Sequence, residues 1–312
     1  MDVLADVLSN LRLRGQMYFR TEFVGSWGVT LPADRNSIRI HLVVQGQCWI
    51  SVDGGNEPIL LREGDFALVP HGAGQTLSDT PHADAVSLET LLNNGSLGDD
   101  GVFRHGTRES KQQARLVCGF CSFDEELNHP LFLGLPPVLV MGQHFTGKSP
   151  WLAEAVRVIT MESNLDGLGG SAVINRLMEV LFIQGIRHQC ETKSSPSIPY
   201  LFAITDKNLK PAIEAMHEHP ERGWTLSQLA KLSSMSRGRF AQRFKEVLGQ
   251  SPMQYLTDWR LQKAKHLLKE TNLSIAEVGF RSGYQSLPSF TRRFGKQFGI
   301  TPAAFRKEPR SG

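Results

Sequence analysis

Few cysteines, few tyrosines and no long apolar run mark this sequence, and each shortage narrows what it can be. Four cysteines in 312 residues, Cys48, Cys118, Cys121 and Cys190, are too sparse for a disulfide-stapled scaffold and read as free thiols. No window approaches the roughly 18 consecutive apolar residues of a membrane-spanning helix. The N-terminus, Met1-Asp2-Val3-Leu4-Ala5-Asp6, lacks the basic start and apolar run of a signal peptide, so a cytoplasmic location is expected. What remains is ordinary: 40% hydrophobic and 21% charged residues. At about 150 residues per domain, two domains are expected.

The net charge of +3 hides an asymmetry. From Asp206 onward there are 19 Lys and Arg against 9 Asp and Glu, net +10, which leaves 15 against 22, net −7, for residues 1–205. A basic C-terminal half carried by an acidic N-terminal one points to a nucleic-acid reader joined to something else.

The texture changes along the chain accordingly. Leu4, Leu8 and Leu11 fit a small helix packed on the domain behind it. From Gln16 to about Val140, short β-rich runs such as Ile38 to Val44, Cys48 to Val52 and Phe66 to Val69 predict an antiparallel β-barrel or sandwich. The polar, Gly-rich stretch Asn93 to Gln113 reads as a long mobile loop. Residues 151–190 then switch to helical periodicity. Val173, Ile174, Leu177, Met178, Leu181, Phe182 and Ile186 form one apolar stripe, which must cover either its own domain or a second subunit; a dimerisation segment is expected. Residues 191–205 form a polar, Pro-interrupted linker, and 1–150 and 206–312 are the flanking domains.

The C-terminal domain contains an internal repeat. Thr225-Leu226-x-x-Leu229-Ala230 recurs as Ser274-Ile275-x-x-Val278-Gly279, and Ser236-x3-Phe240-x3-Phe244-x4-Gly249-x2-Pro252 recurs as Ser286-x3-Phe290-x3-Phe294-x4-Gly299-x2-Pro302. Each copy spells a short helix, a tight turn, and a second helix begun by Ser and closed by Gly. That is a helix-turn-helix, at about 225–248 and again at 274–298. Its second helix lies in the major groove, so one face must be apolar and the other polar or cationic. With Phe240, Phe244 and Val247 inward, Gly238, Gln242, Lys245 and Glu246 turn outward, flanked by Arg237, Arg239 and Ala241. In the second copy Phe290, Phe294 and Gln297/Phe298 point inward, and Pro288, Ser289, Arg292 and Lys296 outward, flanked by Thr291 and Arg293. Gln242 suits adenine and Arg292 guanine, with Gly238, Ala241, Ser289 and Thr291 beside them at the bases. Arg237, Arg239, Lys245, Arg293 and Lys296 suit phosphate.

Between the copies, Met253 to Lys269 predicts a long helix with Tyr255, Leu256, Trp259, Leu261, Ala264, Leu267 and Leu268 at core spacing. These motifs together, Y-L-x-x-W-R-L-x-x-A-x-x-L-L, S-I-A-E-V-G-F-x-S-G-Y-x-S and F-x-x-x-F-G, resemble the DNA-binding domain of the AraC/XylS transcription regulators over about Asp206 to Lys307. The resemblance implies a seven-helix domain whose two recognition helices enter successive major grooves, roughly 34 Å apart. It also implies promoter DNA and RNA polymerase as partners. Two departures stand out: Leu287-Pro288 replaces the usual polar pair opening the second recognition helix, and Gly279 stands where Ala is common.

The N-terminal half is similar to the cupin-type effector domains of some of these regulators. Gly64-x5-Pro70-x-Gly72-x2-Gln75 copies the second cupin motif, with Gln75 where that motif has a metal-binding His; His41 lies where the first motif places ligands, without its companions. One His and one amide are too few for an oxygenase-type metal. No cofactor and no enzymatic activity are therefore expected, a metal-dependent cupin enzyme fused to a DNA anchor being the rival reading. Cys118-Gly119-Phe120-Cys121 lies on a strand, which directs the two thiols to opposite faces, one buried and one to solvent. His41, Trp49, Cys118 and Cys121 are the effector or redox candidates, and a structural zinc would have to gather His41, Cys48, His71 and Cys118, with His129 in reach. The fold class expected is α+β: a cupin-like barrel with a helical segment, then an all-α double helix-turn-helix. The function expected is a dimeric regulator answering a small-molecule or redox signal.

Overall fold

The computed structural model describes residues 2–11, 13–34, 37–55, 57–107, 112–123, 129–142, 150–164, 168–191 and 198–308. It divides into two compact units: Leu13–Ser197, and Met1–Arg12 together with Ile198–Gly312. The first helix, α1 (Val3–Leu11), thus belongs with the C-terminal residues, not with the sheet domain that follows it in sequence. Of the expected linker over 191–205, residues 192–197 lie outside the described residues, and Pro199–Thr205 is not linker but a helix that buries Tyr200, Leu201 and Ala203.

The first unit is built on two sheets. Strands β1 (Arg14–Val24), β3 (Ser37–Gln45), β6 (Phe66–Val69), β9 (Val102–Gly106), β10 (Gln113–Ser122) and β11 (Leu139–Met141) form one, in the order β11-β6-β3-β10-β1-β9. The other runs β5-β4-β7-β2-β8, from β2 (Gly28–Leu31), β4 (Gln47–Val52), β5 (Ile59–Arg62), β7 (Gln75–Ser78) and β8 (Val86–Ser87). Phe23, Val43, Leu116 and Cys118 of one sheet share a core with Val29, Cys48, Ile50 and Leu77 of the other. Among the described residues the strands close no barrel, and the pairing is not wholly antiparallel: β9 runs parallel to β1 and β8 parallel to β2. Strand β9 also corrects the long loop expected over Asn93 to Gln113. Val102 and Phe103 bury there, with Phe103 stacked on Phe19 at 5.1 Å, and that apolar pair draws the segment onto the sheet edge.

Helices α2 (Leu88–Asn93), α3 (Pro130–Leu133), α4 (Pro150–Asn164) and α5 (Gly170–Glu191) complete this unit. The apolar stripe of α5 covers its own domain. Ile174, Met178, Leu181, Phe182 and Ile186 are buried, with α5 lying along β1 and β10. Asn175 Oδ1 accepts the Met17 amide at 2.8 Å and Glu179 Oε1 the Gly15 amide at 3.0 Å, so the helix also caps backbone donors of β1. A Cβ on Gly15 would come 2.3 Å from the Asn175 carbonyl oxygen, and only glycine permits that approach. Leu177 is half-buried and Val173 exposed, so the expected two-fold seam is not what buries the stripe.

The second unit is helical. Among the described residues seven helices follow Leu209: α7 (Lys210–Glu218), α8 (Leu226–Leu232), α9 (Arg237–Leu248), α10 (Pro252–Glu270), α11 (Ile275–Arg281), α12 (Leu287–Phe298) and α13 (Pro302–Lys307), with α6 (Pro199–Thr205) before them. Tyr255, Leu256, Trp259, Leu261, Ala264 and Leu268 make the buried side of α10. Helix α1 packs on α7 and α10 with Val3, Val7 and Leu8 buried; of the expected Leu4, Leu8, Leu11 line, Leu8 is in the seam, Leu4 is half-buried, and the Leu11 side chain lies outside what is described.

Candidate nucleic-acid interface and sensor core

The two helix-turn-helix copies match in detail. Thr225 caps α8 with a capping box to Gln228, and Ser274 caps α11 with one to Glu277. Each turn needs one residue with left-handed backbone: Ser234 at φ 51° and Gly283 at φ 85°. Gly283 has no substitute, because a Cβ would meet Arg260 Nε at 2.7 Å and the Pro220 carbonyl at 2.8 Å. Ser236 and Ser286 then cap α9 and α12, and Gly249 and Gly299, both at φ 73°, end them. Phe240 packs edge-on to Phe244 at 5.6 Å, as Phe290 does to Phe294 at 5.6 Å, and all four are fully buried.

The opposite faces are exposed and cationic. On α9, Arg237, Gly238, Arg239, Gln242, Lys245 and Glu246 are exposed and Ala241 is half-buried. Gln242 Nε2 donates to Glu246 Oε1 at 2.8 Å, which uses one of the amide's two N–H groups and steadies the side chain. On α12, Pro288, Arg292 and Lys296 are exposed, while Ser289 and Thr291 are half-buried. Two expectations change. Gln297 faces solvent, and Phe298 alone supplies the inward contact, 4.6 Å from Phe294. Arg293 turns back onto Gln254 Oε1 at 3.0 Å, which fastens α12 to α10 and takes its guanidinium away from the phosphate role. Its counterpart Arg243 does likewise, donating to Asp206 Oδ2 at 2.7 Å.

In the sheet unit, His41 and Cys118 are cross-strand partners, with Nδ1 3.1 Å from Sγ, and Cys48 shares their core. Burial pushes the Cys118 thiol up to about 12, and raises Cys48 and Cys121 as well. Burial, then the charge of Arg39, lowers His41 to about 3, against a favourable contribution from the Gln75 amide. His41 Nε2 and both amide atoms of Gln75 are buried without a hydrogen bond of standard geometry. The other candidates lie elsewhere. Trp49 is half-buried and alternates away from the buried Cys48 and Ile50, and His71 Nε2 is bonded to the Leu135 carbonyl at 2.9 Å. His129 caps α3 through its Nδ1. The four expected zinc ligands therefore do not converge, since His71 lies apart from His41, Cys48 and Cys118, and no group of three His, Cys, Asp or Glu that could hold a metal occurs among the described residues. Nor do the residues at the cupin position suit a cation: one imidazole and one amide sit beside the buried guanidinium of Arg39. Cys121 points to the face opposite Cys118 as expected, but it is fully buried because α5 covers it, with Sγ 3.9 Å from the Met178 carbonyl.

Comparison with known proteins agrees with both halves. A cupin family model matches residues 2–191 and a helix-turn-helix domain model residues 229–308. A Streptomyces lividans protein named as an AraC-like transcription regulator is 29% identical over 99% of both chains. AlkR of Acinetobacter baylyi, an HTH-type transcriptional regulator, is 24% identical over 99% of this chain and 100% of its own. This chain is an AraC-family transcription regulator. Among solved structures, the DNA-binding domain of AdpA in complex with a target DNA is 31% identical over 33% of this chain and 91% of that one, with a TM-score of 0.31. Among the regulator's described residues no helix is long and apolar enough to cross a membrane.

One constellation of the regulator has no signal in local sequence. His217 is fully buried in the helical unit, where its Nδ1 donates to Asp6 Oδ2 at 2.9 Å and its Nε2 accepts from Tyr255 at 2.7 Å. Tyr200 meets Tyr255 at 3.2 Å, Trp259 lies against the imidazole at 4.1 Å, and Lys263 Nζ is 3.5 Å from Asp6 Oδ1. Burial lowers the His217 pKa, which fits a neutral ring with its proton on Nδ1. The carboxylate comes from a residue 211 positions away, so no window of sequence shows the pair.

Proposed function

We propose that the regulator reads promoter DNA with α9 and α12 in successive major grooves. Gln242 and Arg292 contact bases with Gly238, Ala241, Ser289 and Thr291 beside them, while Arg237, Arg239, Lys245 and Lys296 contact phosphates. The observation that carries this is the duplicated helix pair, with equivalent Phe pairs buried behind two exposed cationic faces. Arg293 acts as a strut. The cupin domain senses a small molecule and the regulator works in the cytoplasm as a homodimer that engages RNA polymerase. Three buried thiols with raised pKa values favour the small-molecule signal over an oxidant. The crowding of Arg39 on His41 favours a domain without metal catalysis.

The test is competition binding on a fragment taken from genomic footprinting, across a salt series. Arg292→Ala is expected to cost about 1–3 kcal/mol and relax base preference, and Lys245→Ala to weaken all sequences alike and lower the salt slope. Equal, sequence-blind losses from both would remove the assignment of Arg292 as a base reader. Stoichiometric bound metal with turnover would favour the enzyme reading instead.

A further inference from the structure

The two readers differ at their tips. At the equivalent positions of the repeat, α9 opens with Arg237-Gly238 and α12 with Leu287-Pro288. Leu287, three and seven residues before the buried Phe290 and Phe294, stands at the open N-terminal end of that apolar stripe and is still 41% exposed, while Pro288 is exposed on the opposite side. Ser286 caps this helix through the Ser289 amide, which makes Leu287 and Pro288 its first and second residues. Pro288 precedes Arg292 by four and Lys296 by eight, so the exposed proline lies on the same face as the two exposed cations. The N-terminal residues of a recognition helix are those that reach base edges. In the major groove the apolar group available to them is the C5 methyl of thymine.

We propose that Leu287 and Pro288 are thymine-methyl readers, making the second half-site T-specific at its edge while the first is read by polar and cationic groups. This rests on α12 being a DNA-reading helix. Arg292 and Lys296 set the helix on the duplex by charge, and the leucine and proline select by burying a methyl group against apolar carbon. Neither side chain can donate a hydrogen bond, so a base presenting only polar groups at that position leaves them against unsatisfied edges. The consequence is an operator whose two halves differ in chemistry, which orients the regulator on DNA.

The experiment selects binding sites from a random duplex pool with the full-length regulator and with Leu287→Ser/Pro288→Ala. Both positions are exposed and the cap residue is kept, and circular dichroism checks that the fold is retained. The wild-type selection is expected to contain an invariant T at the α12 half-site that the variant loses, with the α9 half-site unchanged. Replacing that thymine by deoxyuridine, which removes only the methyl, should weaken wild type roughly three- to tenfold and leave the variant unaffected. Wild-type indifference to uracil, or an unchanged T preference in the variant, overturns the proposal while leaving the DNA-reading role in place. Failure of the wild type to enrich any sequence overturns the role itself, and the proposal with it.

Discussion

Removing the Asp6 carboxylate tests whether α1 is a working part of the DNA-reading unit. In Asp6→Ala the buried His217 keeps its Nδ1–H with nothing to receive it, and Lys263 loses its nearest carboxylate. An unsatisfied buried donor costs about 1–3 kcal/mol, and a hydrogen bond to a charged group is worth about 1.5–3 kcal/mol. The Lys263 pair, at 3.5 Å with the lysine side chain 27% exposed, adds less than about 1 kcal/mol. A loss of about 2 kcal/mol is therefore expected, which is roughly a thirtyfold drop in protection from hydrogen exchange along α7 and α10. Asp6→Ala, His217→Ala and the double variant close a thermodynamic cycle in the full-length regulator, with urea unfolding of the helical unit as the second readout. A coupling energy of about 1–2 kcal/mol is expected, because the second substitution has no partner left to strand. Additive effects within about 0.3 kcal/mol, or unchanged exchange over α7, would show that α1 does not hold Asp6 against His217.

Three further outcomes follow from the sheet unit. His41 holds a folded pKa of about 3, below its unfolded value of about 6.5; the unfolded chain therefore binds its proton first as pH falls. Stability is full above about pH 6.5 and declines below it, by about 2 kcal/mol at pH 5, and His41→Gln should lack this decline in urea titrations at pH 7.5 and 5. A parallel decline in the two proteins would remove His41 as its source. Leu181→Glu places a charge in the core under α5 and should unfold the unit, at a cost of about 3–5 kcal/mol, whereas Val180→Glu on the exposed side should stay within about 0.5 kcal/mol. A folded Leu181→Glu protein that differed only in sedimentation would instead place that residue in a subunit seam. Native Cys118 and Cys121 should both alkylate slowly, at rates set by opening of the unit, since both are buried with raised pKa values; rapid labelling of either at pH 7.5 would contradict its placement.

The parts of this fold that a reader of the sequence can find are those fixed by neighbouring residues. Caps, left-handed glycines and the Phe-x3-Phe spacing act within one helix and its flanks, so both helix-turn-helix copies were legible to within a residue or two. Gln297 was misplaced because a period of 3.6 leaves two adjacent residues equally close to the seam, and Phe298 is the one whose burial gains more. What a stripe covers is a different kind of question. The apolar face of α5 would read the same against a partner subunit, and only the Asn175 and Glu179 contacts to β1, some 160 residues back in the chain, settle it. The same long separation hid α1 on the helical unit, and the parallel strand β9 inside a Gly-rich stretch.

The sensor core shows how far residue identity alone carries a chemical argument. A C-x-x-C on a strand sends its thiols to opposite faces, and that geometry held; the further step to one exposed sulfur failed because a sheet covered on both faces has no solvent side. Substitution of Gln75 at the cupin ligand position was already informative, since an amide cannot supply the charge a divalent cation needs. Structure adds the reason that the remaining imidazole cannot compensate. Arg39 lies two residues before His41 on the same strand face, buried, with its Nη2 donating to the Pro32 carbonyl at 2.6 Å. A fixed guanidinium there opposes a proton on His41 and would oppose a metal ion for the same reason. With His41 neutral, Cys118 and Cys48 protonated and Gln75 uncharged, the cluster holds neither a base poised near neutrality nor a thiolate. What it does keep is hydrogen-bonding capacity, in His41 Nε2 and both amide atoms of Gln75, which is the kind of group that fixes a bound molecule's orientation.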